Sequence, residues 1–249
     1  MCPFWGSLQN EGVLFYKNCY IINLMKFQLL NFLKGILAGL AIGLGGFLYI
    51  LMITYVPGEG GKVLGSLLFA VGLFLVCTFK LSLYTGKIGN IFEGKQTKEF
   101  YISLPVMLVG NAIGAFSLGF ICWAIFQNNV ELMTTISGVA TGRATLFTFA
   151  DYLSCIVKSI LCGLCVYLAV KSFALNRLKP IGILLLVFFV FVFVYSGFQH
   201  CIANMFYFGF ANHITGYTFI NLAFCIVFNS IGPIFGVLLF KTFTKPNQQ

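Results

Sequence analysis

Six long runs of apolar residues dominate this chain, and they leave little choice of solvent. About twenty apolar residues cross a bilayer as a helix. The runs cover about Leu29 to Tyr55, Val63 to Leu83, Tyr101 to Phe126, Tyr152 to Phe173, Ile181 to Phe208 and Tyr217 to Phe243. Charged residues make up only 8% of the chain, against 59% hydrophobic, where a soluble domain carries roughly 25% charged. Too few charges remain to cover a water-facing surface. A backbone in lipid must satisfy its own hydrogen bonds, so helices and closed barrels are the only spanning forms. Barrel strands alternate over about ten residues; unbroken runs of this length call for helices. The expected fold is all-α, integral to the membrane, with six spans.

Lysine and arginine set the expected orientation. Lys17, Lys26, Lys95, Lys98, Lys171, Arg177, Lys179, Lys241 and Lys245 fall on one side, and Lys62 and Arg143 on the other. The first side is read as cytoplasmic, which puts both termini there. The expected organisation is a cytoplasmic segment at 1–28, a six-span unit at 29–243 and a cytoplasmic tail at 244–249. The cell membrane is the expected location, and no cleavable signal peptide is evident. The net charge of +9 is no sign of nucleic-acid binding, because the basic residues flank apolar spans.

The two halves resemble each other. Lys34-Gly35-Ile36-Leu37-Ala38-Gly39-Leu40 pairs with Lys158-Ser159-Ile160-Leu161-Cys162-Gly163-Leu164. Tyr84-Thr85-Gly86 pairs with Tyr195-Ser196-Gly197, Ile88-Gly89-Asn90 with Ile202-Ala203-Asn204, and Gly110 through Gly114 with Gly232 through Gly236. The order is the same in both halves, which argues for a three-span repeat over about 29–126 and 152–243. Three is odd, so the second copy is inverted. Inverted repeats place substrate near the midplane, between broken helices. Polar and glycine residues interrupt the second and fifth spans, at Thr85-Gly86 and Ser196-Gly197. Irregular backbone at that depth survives only when buried in protein or lining a cavity; the plainer reading is a glycine kink in each packed helix.

Ionisable residues inside a membrane are costly and mark function. Lys34, Lys80, Lys158 and His200 qualify, and none is acidic. A pathway lined by lysine, histidine and hydroxyls favours an anion. Lys34 and Lys158 are repeat-related and would raise anion concentration at opposite mouths, or else snorkel to the interface. Lys80 has three readings: pore, subunit contact or snorkelling. His200 follows the break in span five, where imidazole titrates near neutral pH, with Thr85 of the other break as a hydrogen-bond partner; the alternative is a packing histidine. The cysteines, Cys162 and Cys165 among them, read as small apolar fillers, with no metal ligand set and no cofactor.

Ser196-Gly197-Phe198-Gln199-His200-Cys201-Ile202-Ala203-Asn204-Met205 resembles the span-five signature of the formate/nitrite transporter family. Leu83-Tyr84-Thr85-Gly86 is similar to that family's span-two loop. Lys34-Gly35 through Gly45-Gly46, and Gly110-Asn111 through Gly114, are similar to its first and third spans. The resemblance implies an aquaporin-like protomer with its own pore, in a homopentamer passing formate, nitrite or hydrosulfide. It implies His200 as the pore histidine with Thr85 as loop partner, Lys158 as the span-four lysine, Leu83, Tyr84, Gly86, Ser196, Gly197 and Asn204 as loop residues, and Leu73 and Phe193 as constrictions. Ser82 stands where the family has an acid, and Lys87, Gly163 and Pro233 stand where it has asparagine. The expected function is therefore a channel or proton-coupled transporter for small monovalent anions of weak acids, and not an enzyme. The alternative is an aquaporin-like channel for small neutral solutes, which would want paired Asn-Pro-Ala motifs; Ala203-Asn204-Met205 is the nearest. A membrane enzyme would want a clustered metal or nucleophile set.

Overall fold

The computed structural model describes residues 5–176 and 178–243. Arg177, Lys245 and the proposed 244–249 tail lie outside the described residues. The described chain forms helices α1 (Trp5–Tyr55), α2 (Glu59–Thr78), α3 (Tyr84–Lys87), α4 (Lys98–Phe126), α5 (Val130–Ala144), α6 (Phe149–Leu175), α7 (Lys179–Tyr195), α8 (Cys201–Phe210) and α9 (Gly216–Phe243), with a 3-10 turn at Ile88–Phe92.

Among the described residues, five stretches are long and apolar enough to cross a membrane: Tyr20–Tyr55, Glu59–Thr78, Lys98–Phe126, Phe149–Leu175 and Gly216–Leu239. The remaining span is divided between α7 and α8, two shorter apolar helices. The molecule is thus a six-span membrane protein in two inverted halves, with spans two and five broken. Span one is longer than its apolar run: α1 begins at Trp5, not near Leu29. Its first turns lack an apolar period, so pattern alone does not reveal them. The polar segment between the halves forms the 15-residue α5.

Local chemistry explains the helix starts. Thr97 and Asn129 accept hydrogen bonds from Phe100 N–H (3.3 Å) and Leu132 N–H (3.0 Å) at the heads of α4 and α5. Thr148 and Asp151 form a reciprocal capping box on α6, which satisfies donors that a helix start leaves orphaned. Pro180 sits in the first turn of α7, where its missing N–H costs nothing.

Within each half, two helices pack backbone to backbone. A Cβ on Gly39 would drive into Asn111 O, and one on Gly114 into Ile36 O; Gly163 and Gly232 stand in the same relation to Asn229 O and Ile160 O. Lipid tails are as apolar as leucine, so small residues permitting this approach supply the adhesion. The halves then interlock: α8 packs on α4 and α1, α3 packs on α6, and α2 packs on α7.

Candidate functional site

The breaks superimpose by their hydrogen bonds, residue for residue. Lys80 N–H donates to Cys77 O and Leu81 N–H to Val76 O; Gly197 N–H donates to Val194 O and Phe198 N–H to Phe193 O. Ser82 N–H then donates to Lys34 O, and Gln199 N–H to Lys158 O, each at 3.4 Å. Lys80 and Gly197 are the left-handed residues, with φ of 51° and 67°. This corrects the repeat register. The span-two break lies between Thr78 and Tyr84 rather than at Thr85-Gly86, and Gly197 pairs with Lys80 rather than with Gly86. Leu83 pairs with His200, Tyr84 with Cys201 and Lys87 with Asn204. The Lys34–Lys158 pairing stands. The short matches around glycine misled because glycine is common throughout this chain.

One asparagine holds each break. Asn111 Nδ2 donates to Gly35 O (2.8 Å) and Ser82 O (2.9 Å), while its Oδ1 accepts Tyr84 N–H at 2.8 Å. Asn229 Nδ2 donates to Ser159 O and Gln199 O, both at 2.8 Å, and its Oδ1 accepts Cys201 N–H at 2.9 Å. Each amide thus joins three elements and satisfies backbone groups where no water reaches. Asn111–Gly114 therefore pairs with Asn229–Gly232, four residues before the stretch ending at Gly236. The asparagine sought at Pro233 is Asn229.

Between the breaks, Thr85 Oγ1 and His200 Nε2 lie 2.9 Å apart. Both side chains are buried, at 1% and 2% exposure. His200 Nδ1 accepts Ala203 N–H at 3.2 Å and so caps α8. An accepting Nδ1 carries no proton, which leaves the ring neutral with its hydrogen on Nε2, donated to Thr85. The Thr85 hydroxyl hydrogen is then free for another acceptor. Phe193 lies 5.9 Å from His200 and 5.7 Å from Phe69, ring centre to ring centre. Leu73 and Phe193 are buried on α2 and α7. They are not repeat partners: Phe193 corresponds to Val76, and Leu73 to Val190.

Two cavities lie toward opposite ends of α6, each lined by a neighbour of this pair, Gln199 in one and Gly86 in the other. One, of about 290 Å³, is lined by Arg143, Asp151, Cys155, Lys158 and Gln199 among others. The other, of about 380 Å³, is lined by Lys80, Leu83, Gly86, Lys87, Phe173 and Lys179 among others. Lys158 therefore borders a mouth. Lys34 touches the break through its backbone carbonyl and lines neither cavity. Tyr84 Oη lies 2.9 Å from Ser230 Oγ, bracing α3 against α9. Ser196 closes α7 as its C-cap.

Arg143, Gln199 and Asn221 belong to the site but were not singled out from sequence. Arg143 donates to Phe198 O (3.4 Å), Gln199 Oε1 (3.1 Å) and Asn204 Oδ1 (2.8 Å), and its guanidinium lies 4.9 Å from the centre of the Tyr207 ring. Asn204 Nδ2 donates to Gln199 Oε1 (2.7 Å) and Asn221 Oδ1 (2.9 Å). The available signal was the spacing of Asn221, Cys225 and Asn229, four residues apart, a polar stripe along one face of an apolar helix.

Known proteins agree with this architecture. The formate channel FocB of Escherichia coli is 25% identical over 189 residues, 72% of this chain and 66% of that protein. The formate channel FocA of Haemophilus influenzae is 26% identical over 71% of this chain and 64% of its own length. The chain's matches thus span just under two thirds of these two relatives. An uncharacterized transporter of Bacillus subtilis, YrhG, is 32% identical over 69% of this chain and 67% of its own length. The solved structure of a pentameric formate channel with formate bound superimposes with a TM-score of 0.70 at 24% identity, over 87% of this chain and 95% of that one. An ion channel of the same family gives 0.69 at 19%, over 91% and 93%; these two likenesses speak to fold. The profile described as formate/nitrite transporter matches residues 25–245. A match over nearly the whole six-span unit, on a fold shared with these channels, makes the chain a member of the formate/nitrite transporter family.

Proposed function

We propose that this protein is a channel for small monovalent anions of weak acids, of the formate, nitrite or hydrosulfide kind. The observation that carries the reading is the Thr85–His200 pair, buried between two broken spans with cationic residues at both mouths. Lys158 concentrates the anion at one mouth, and Lys80, Lys87 and Lys179 do so at the other, with Lys34 adding positive charge behind the span-two break that its carbonyl meets. Leu73 and Phe193 then exclude water. A bare anion in such a dry segment is expensive, so a weak acid crosses most easily as its neutral form. Thr85, with its hydroxyl oxygen engaged by His200, presents a hydrogen-bond donor to the solute at the dry centre. Leu83, Ser196 and Gly197 shape the two breaks around it, with Tyr84 and Gly86 of α3 and Asn204 of α8 beside them. The protomer carries its own pathway and assembles as a homopentamer in the cell membrane, with both termini in the cytoplasm. The pentamer is the state of the related formate channel, and the orientation follows the lysine distribution.

Flux from purified protein in liposomes tests the reading. Formate, nitrite and hydrosulfide should each cross far faster than in empty vesicles, with glycerol no faster than background. Flux of the anions should rise as pH falls, following the neutral acid. Glycerol or water passing while all three anions are excluded would replace this reading with the neutral-solute channel.

A further inference from the structure

The two mouths are unequal in charge. The cavity beside Arg143 has two cationic linings, Arg143 and Lys158, and one carboxylate, Asp151. Arg143 is moreover committed to three acceptors, Phe198 and Gln199 of the adjoining break and Asn204 of α8. The larger cavity has Lys80, Lys87 and Lys179 and, among the described residues, no acidic lining. Glu93 and Glu99, which are not in its lining, are engaged elsewhere: Glu93 takes Lys171 and Tyr167, and Glu99 takes Tyr20. Lys179 lies 5.6 Å from the centre of the Phe173 ring, on the apolar wall that Val76, Leu81 and Val170 continue.

The repeat shows that the fold does not require this charge. Gly197 and Asn204 occupy, in the other half, the places of Lys80 and Lys87. Lys80 also adopts a left-handed backbone, with φ of 51°, which disfavours a side chain by roughly 1 kcal/mol or more. A lysine held where glycine fits better is a feature with a use. One monovalent anion answers only one of the three lysines that line about 380 Å³.

We propose that this cavity binds a compact anion of two or more negative charges, phosphorylated or polycarboxylate, and that the bound anion stops the pathway at Leu83. Lysine ammonium groups are point charges suited to such oxyanions. Leu83 forms part of the cavity wall and directly precedes the Tyr84-Thr85 turn that leads to His200. The binding is independent of the transport reading; the block rests on it.

The test is calorimetric titration of the full-length protein in detergent, at constant ionic strength, with pyrophosphate, citrate and formate. At least one multivalent probe should bind ten times more tightly than formate; preference for pyrophosphate or for citrate distinguishes the phosphorylated from the carboxylate class. The double substitution Lys80→Gly and Lys87→Asn, which copies the other half, should weaken that binding at least tenfold. Lys95→Gln, an exposed lysine outside the cavity, should leave it unchanged. Equal affinity for multivalent and monovalent probes on the wild-type protein overturns the proposal whatever the variants do, as does loss of binding in Lys95→Gln equal to that in the double variant. In liposomes, the tighter probe should reduce formate flux at least fivefold when supplied at the lysine-rich mouth. Binding without any block overturns the stopper, and an absence of formate flux even without probe instead indicts the transport reading.

Discussion

His200 works with both ring nitrogens, and its two bonds separate structure from transport. Nδ1 caps α8 and Nε2 holds Thr85. Asparagine is a good cap but too short to keep both bonds. His200→Asn should therefore fold and assemble with a thermal midpoint within a few degrees of wild type, while formate flux falls about tenfold, the scale of one lost hydrogen bond. Unchanged flux in a folded variant would make the ring purely structural. Lys158 borders its mouth rather than the centre, so Lys158→Ala should slow flux at low formate far more than at saturation. Equal slowing at all concentrations, or none, contradicts a concentrating role. The left-handed residues supply a paired stability test. Lys80→Gly should raise the thermal midpoint by a few degrees and Gly197→Ala lower it, each through about 1 kcal/mol of backbone preference. Nothing lies within 4 Å of a Cβ at Gly197, so the second effect is conformational and not a clash.

At the level of elements, the broken spans depend on their neighbours more than on their own sequence. α3 has four residues and α8 has ten, too short to be stable alone. Each is begun by an asparagine from the following long helix. Asn111→Ala and Asn229→Ala each take a partner from the backbone N–H and C=O that frame the break, Tyr84 and Ser82 in one half and Cys201 and Gln199 in the other, at about 1–3 kcal/mol per group left unpaired. Both variants should lose assembled protein by size-exclusion chromatography, and to a similar degree; a large loss in one alone would mean the halves are not equivalent in energy. This also shows why the sequence was legible only in part. Long apolar runs and lysine placement suffice for six spans and for the Lys34–Lys158 pairing. The break in span two was misplaced by several residues because the signals used, threonine and glycine, lie inside α3, while the true turning residue is a lysine. Lysine in the left-handed region has no sequence signature. Arg143 carries no such signal either, because it sits on α5, a helix whose polar surface reads as a loop.

Across the whole molecule, the lysine-rich mouth and the mouth beside Arg143 should face opposite compartments. Cysteine introduced at Lys179 and at Lys62, in a background lacking other reactive thiols, should be labelled from opposite sides of the cell membrane by an impermeant reagent, with Lys179 on the cytoplasmic side. Labelling of both from one side would refute the topology. The asparagine staples reach further still. Tyr84 lies 27 residues before Asn111, and Cys201 lies 28 before Asn229. During synthesis the chain emerges from its first end, so each turned segment enters the membrane before the side chain that completes it has been made. Until then the amide groups of Tyr84 and Cys201 have no native acceptor, and must wait beside water or the insertion machinery. Each half therefore matures only on arrival of its last helix, and a nascent chain stalled just before Asn111 or Asn229 should be the species most readily captured by quality-control proteases.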